Sequence, residues 1–139
     1  MIKKILCTLI LLCLANNLFA KSEYIEEGIN LYNKNKFEDA KFKFEQDIVF
    51  NPKSEISYLY LSKIFNKQDK KNLEEKNLNT VVLLNPKNEE AIYNLARLKL
   101  TTSDYKKSKE LNKKLKLICS DFCKKSNQLK IEIENLSKK

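Results

Sequence analysis

The tripeptide Asn51-Pro52-Lys53 returns as Asn85-Pro86-Lys87, and these two prolines are the only ones in the chain. Around them the agreement widens: Ile48-Val49-Phe50-Asn51-Pro52-Lys53-Ser54-Glu55 stands against Val82-Leu83-Leu84-Asn85-Pro86-Lys87-Asn88-Glu89. A repeat with this period, about 34 residues, predicts stacked helical hairpins, each needing its neighbours to bury an apolar face. Other backbone breakers are nearly absent, with a single glycine in 139 residues, Gly28. That leaves little material for β-hairpin turns and favours long helices. Such an array points to a binding scaffold rather than a catalyst.

Composition supports a folded chain: 42% of residues are hydrophobic and 32% charged, outside the range of disordered sequences. Catalytic equipment is scarce. There is no histidine, the commonest general base and metal ligand. One glycine excludes a Gly-rich phosphate loop. The adjacent carboxylates Glu26-Glu27, Glu74-Glu75 and Glu89-Glu90 point in different directions on a helix and form no acid/base dyad. The expectation is therefore no enzyme, no cofactor and no metal.

The first twenty residues read as a secretory signal peptide. Met1-Ile2-Lys3-Lys4 is a short basic start, Ile5 to Leu14 is an apolar run broken only by Thr8, and Ala15 to Ala20 ends on a small residue. The run is shorter than the roughly 20 residues a membrane span needs. Cleavage after Ala20 is expected, although Leu18 is bulky for its place before the cut. Two alternatives stay open: an uncleaved membrane anchor, and lipidation of Cys13, against which stand Leu12 before it and the apolar Leu14, Leu18 and Phe19 after it. The expected location is periplasm or cell envelope. The formal net charge is +9, and without Lys3 and Lys4 the chain stays basic, which favours acidic partners or anionic surfaces at low salt. Lysines are spread among glutamates and asparagines rather than gathered in an arm. Together with the export signal, this argues against nucleic acid.

The chain resembles the tetratricopeptide repeat (TPR), a helical repeat with the same period. Placing Pro52 and Pro86 at that family's proline gives three units, Lys21–Ser54, Glu55–Asn88 and Glu89–Phe122. The resemblance implies an all-α fold of antiparallel helix hairpins, A and B in each unit, wound into a right-handed superhelix. The first unit supplies Tyr24, Gly28 and Leu31, then Phe37, Ala40 and Phe44; Gly28 falls where the two helices cross closely. The second supplies Tyr58, Leu61, Ser62, Phe65, Leu78 and Val81, and the third Ile92, Leu95, Ala96, Tyr105, Ser108 and Leu115. Departures fall at Glu27, Asp47, Glu74, Lys99 and Asn112, and Ser120 replaces the closing proline. Glu27 and Asp47 are expected at an exposed end of the stack.

Helix stops are expected at Phe50 and Leu84, before each Asn-Pro. Polar connections are expected over Asn33–Lys36 and Thr101–Asp104, with Asp104 as an N-cap. After the third unit, Phe122, Leu129, Ile133 and Leu136 form one stripe at helical spacing. This predicts a capping helix over 123–139 that covers the last apolar face, with a partner- or membrane-binding helix as the alternative. Cys119 and Cys123 are the only cysteines beyond the signal. In an oxidising compartment they either stay free or form a disulfide, which is easier if Ser120-Asp121 is a turn.

By position, the resemblance implies a groove lined by A helices at Ile25, Ile29, Tyr32, Leu59, Tyr60, Lys63, Lys67, Tyr93 and Arg97. The competing reading makes Ile25, Ile29 and Leu59 plain core. Aromatic area with cations at the edge suits a segment of another protein. One use of the family is disfavoured: positions that grip a C-terminal carboxylate in chaperone-binding members hold Ile25, Ile29, Tyr60, Glu90 and Asn94 here. The expectation is an exported scaffold for a protein partner in envelope assembly, with homo-oligomerisation through open ends as a further outcome. The rival is a structural subunit anchored to the membrane through the N-terminal segment.

Overall fold

The computed structural model describes residues 23–137, over which it has seven α-helices and no strand. The expected signal peptide, with Cys13, lies outside the described residues. Helix α1 covers 23–33, followed by α2 (Phe37–Phe50), α3 (Glu55–Lys67), α4 (Lys71–Leu84), α5 (Glu89–Thr101), α6 (Tyr105–Ile118) and α7 (Cys123–Leu136). The starts of α2, α4 and α6 are spaced by the period of the Asn-Pro-Lys repeat, and so are those of α3, α5 and α7. Both helices that precede Asn-Pro end where expected, at Phe50 and Leu84. Asn33 and Thr101, expected in connections, instead belong to the ends of α1 and α5. The chain divides into two compact units on either side of Tyr60 and Leu61, within α3.

Helices α1, α3 and α5 end in one and the same device. Asn35, Asp69 and Ser103 take left-handed backbone angles, with φ of 58°, 53° and 62°. Their N–H groups donate three residues back, to Tyr32, Asn66 and Leu100 carbonyls at 2.9, 3.1 and 3.1 Å. The next N–H groups, of Lys36, Lys70 and Asp104, donate five back, to Leu31, Phe65 and Lys99 at 3.0, 2.9 and 2.8 Å. This pair of bonds is the Schellman motif, which satisfies carbonyls left open at a helix end and usually takes glycine.

The first unit spends its glycine elsewhere. A Cβ on Gly28 would stand 2.8 Å from Cε1 and 2.9 Å from Cζ of Phe44, which is fully buried. Helices α1 and α2 therefore meet there as expected, through a missing side chain. Glu27 is exposed and pairs with Lys43 at 2.8 Å, as suits a solvated face. Asp47 is not at an exposed surface: it is fully buried. The Ser57 hydroxyl donates to Asp47 Oδ2 at 2.5 Å and accepts from the Ser54 hydroxyl at 3.0 Å, so the buried carboxylate starts a short polar chain. Its other oxygen, Oδ1, has no hydrogen-bond partner among the described residues.

In the second unit α5 packs against α4, α6 and α7, and α6 against α7. The core holds Ile64, Leu78, Val81, Ile92, Leu95, Leu111, Leu115, Leu129 and Ile133. The polar departures from the repeat pattern are each matched by a partner. Lys99 Nζ reaches Glu75 Oε1 at 2.6 Å. Glu74 is buried and accepts from Asn66 Nδ2 at 3.1 Å; burial pushes its carboxyl above the ordinary range, and the charge of Asp69 adds to this. Asn112, also buried, donates from Nδ2 to the Ser126 carbonyl and accepts from the Ser126 hydroxyl, both at 2.9 Å. The inner stripe of α7 is thus Ser126, Leu129 and Ile133, while Leu136 is 40% exposed and Phe122 precedes the helix.

Candidate partner-binding faces

In the first unit, Ile25, Ile29, Tyr32, Leu59 and Tyr60 are all half-buried, neither closed core nor free surface. The two tyrosines are fixed by rings. Tyr32 and Tyr60 meet edge to face with centroids 5.2 Å apart, Tyr32 lies edge-on to Phe37 at 5.5 Å, and Tyr60 stacks on Phe44 at 4.9 Å. Rigid aromatic area of this kind loses little entropy on binding a partner.

In the second unit, Lys67 at the end of α3 is exposed, while Lys63 pairs with Glu90 of α5 at 2.8 Å. Tyr93 and Arg97 are engaged by the last helix and the loop before it. Tyr93 packs on Phe122 with centroids 5.6 Å apart, and Lys125 Nζ lies 5.5 Å from the Tyr93 ring and 4.1 Å from that of Phe122. Arg97 Nη1 meets Glu132 Oε2 at 2.6 Å. Of the nine residues assigned to the groove by position, these two therefore face helix α7. The period could not reveal this, because it reports the face a residue occupies and not which side chains meet between α5 and α7.

The loop between α6 and α7 holds a second arrangement, of which the disulfide is the alternative the sequence offered and the carboxylate beside it is not. Cys119 and Cys123 form a disulfide, with sulfurs 2.03 Å and Cα atoms 5.2 Å apart, across the Ser120-Asp121 bend. The Glu89 carboxylate, at the start of α5, reaches into the same loop. Oε1 accepts from the Ser120 N–H at 2.7 Å and its hydroxyl at 2.9 Å; Oε2 accepts from the Asp121 and Phe122 N–H groups at 3.1 and 2.8 Å. These bonds, led by that of Phe122, hold the Glu89 carboxyl below its ordinary range. One of them satisfies the N–H of Phe122, the N-cap of α7, a helix with no side-chain cap bond of its own. Among the described residues no group of three His, Cys, Asp or Glu is placed to hold a metal, and no helix is long and apolar enough to cross a membrane.

No protein-family model and no curated protein matches the sequence. Solved structures do share the fold. The TPR2B domain of yeast Sti1, in a pHsp70 complex, is similar over 85% of this chain and 98% of that one, with 14% identity and a TM-score of 0.79. The first TPR of Spaghetti (RPAP3), bound to the HSP90 peptide SRMEEVD, is similar over 84% and 93%, with 14% identity and a TM-score of 0.75. The type III secretion chaperone SycD of Yersinia enterocolitica, with a peptide of the translocator YopD, is similar over 85% and 94%, with 15% identity and a TM-score of 0.75. At these identities the likeness is one of fold: the chain has the fold of a TPR domain.

Proposed function

We propose that this chain is an exported TPR-type scaffold that holds a segment of another protein against its A helices during cell-envelope assembly. The observation that carries this reading is the fold likeness to these three proteins, each solved in a complex and two of them with a peptide. On the first unit, the half-buried aromatic area of Tyr32 and Tyr60 supplies contact, and on the second the exposed ammonium of Lys67 supplies a cation. A C-terminal carboxylate is not what these faces grip. Ile25, Ile29 and Tyr60 stand at three of the clamp positions, and Glu90, at a fourth, is bound to Lys63. Export rests on the order of basic, apolar and small residues in Met1–Ala20.

The test is site-specific photocrosslinking in cells, with p-benzoylphenylalanine at Ile25 or Lys67 and, as control, at Leu83, which is 81% exposed on a B helix. A discrete protein adduct from Ile25 or Lys67 that is absent from Leu83 is the expected result. Adducts of equal yield from all three sites, or none from the first two, remove the A-helix assignment. Intact-mass analysis of fractionated cells tests location: a soluble product beginning near Lys21 fits export with cleavage. A membrane-bound product retaining the leader moves the reading to an anchored structural subunit.

A further inference from the structure

Helix α6 carries a lysine row that neither the repeat pattern nor the A-helix reading uses. Lys106, Lys109, Lys113 and Lys116 recur at i, i+3, i+7 and i+10, which places them on one face over about 15 Å at 1.5 Å per residue. All four are exposed, and among the described residues none has a carboxylate partner. They border a cleft of about 400 Å³ between α6 and α7, lined inside by Tyr105 and the buried Ile133. From α7 the cleft receives Lys130 and Glu134, paired with each other at 3.7 Å.

The period identifies what kind of space this is. A shift by one repeat carries Lys130 onto Ala96, Ile133 onto Lys99 and Glu134 onto Leu100 of α5. On α5, this surface receives the following B helix: the Ser108 hydroxyl of α6 donates to the Ala96 carbonyl at 2.8 Å, and Ala96 and Leu100 are buried. The cleft is thus the seat of a further B helix, which no described helix fills. The seat on α5 is small and apolar. The one on α7 has the same register with charged side chains, flanked by four lysines that have no carboxylate partner among the described residues.

We propose that this cleft docks an acidic amphipathic helix of a partner protein, which adds to the stack as the next B helix. Its apolar stripe covers Tyr105 and Ile133, and its carboxylates face the lysine row. Shape favours this occupant over a membrane surface. Anionic headgroups engage exposed lysines on any face, whereas a cleft with a buried isoleucine takes a ligand that projects an apolar ridge. The site lies on α6 and α7 and does not depend on what the A helices bind.

Fluorescence anisotropy on the full chain tests it. The probe is a labelled peptide with the 14-residue length of α6, with leucines at i, i+3 and i+4 spacing and glutamates elsewhere; its counterpart has glutamine for every glutamate. The glutamate peptide is expected to bind about tenfold or more tightly than the glutamine one, and to shift the Ile133 methyl resonance. Lys109→Glu with Lys113→Glu should abolish that preference, the milder Lys109→Gln should weaken it, and Lys67→Glu should leave it intact; unchanged helical circular dichroism shows that each variant is folded. Equal binding of the two peptides, binding indifferent to Lys109 and Lys113, or no peptide binding at all overturns the proposal. So does binding to phosphatidylglycerol vesicles without binding to the peptide.

Discussion

The turn Asn85–Asn88 and the loop Cys119–Phe122 each join a B helix to the helix that follows, one period apart, and they do so by different means. In the first, the bonds that shape the turn and open the next helix are local. The Asn88 N–H donates to the Asn85 carbonyl at 3.1 Å, Pro86 presets the backbone between them, and Asn88 Oδ1 accepts from the Ala91 N–H at 2.7 Å to open α5. In the second, Ser120 stands where the proline was, and no side chain of the loop caps α7. The N–H of Phe122, at the N-cap, and those of Ser120 and Asp121 before it are taken instead by Glu89, 31 to 33 residues upstream, and the loop is closed covalently. The requirement to satisfy the first amides of a helix is common to both. A repeat therefore persists structurally where its local motif has lapsed, provided some distant group meets the same need.

Removing the covalent closure should separate the two junctions most. Cys119→Ser with Cys123→Ser is expected to cost about 2 kcal/mol, the loop-entropy value for so short a ring. Urea unfolding with and without reductant measures this, and identical midpoints would show that the disulfide adds nothing to Glu89. A smaller, pH-dependent loss is expected for Glu89→Gln. Because the folded-state pKa of Glu89 lies below the ordinary glutamate value of 4.5, its contribution is complete above that pH and is lost as pH falls through the folded value. Wild-type and variant melting temperatures should thus differ at neutral pH and converge in acid; a constant gap would mean that the carboxylate's charge is not what holds the loop. The least effect belongs to the local junction. Pro86→Ala should cost about 0.4–1 kcal/mol, chiefly through added freedom of the unfolded chain. Hydrogen exchange at Ser120–Phe122 should stay unchanged in that variant, and a change there would show that the two junctions are coupled.

Much of the helical layout was legible because it rests on local signals. Asn-Pro-Lys sets the ends of α2 and α4, Asp104 caps α6 through the Lys107 N–H at 3.0 Å, and the lone glycine marks where α1 and α2 cross. What stayed hidden was polar and long-range. Asp47 reads as an end-of-stack departure, yet it lies buried with Ser57 ten residues on. Leu136 fits the α7 stripe by spacing, but the stripe turns toward Ser126, a residue that pattern arguments class as solvent-facing. Among the nominated binding residues, Tyr32 and Tyr60 find each other within one unit, whereas Tyr93 and Arg97 find α7. Periodicity reports which face a side chain occupies; it does not report which polar groups will meet across it.

The Asn112–Ser126 pair has a consequence for assembly order. An end face made only of leucine and isoleucine would accept any amphipathic helix, in several offsets, with similar gain. Two reciprocal bonds inside that face remove the degeneracy, because sliding α7 by one turn would strand the buried Asn112 amide and separate it from the Ser126 hydroxyl, at about 1–3 kcal/mol for each group left unpaired. The pair thus acts as a key that admits α7 in a single alignment and rejects apolar strangers from the same berth.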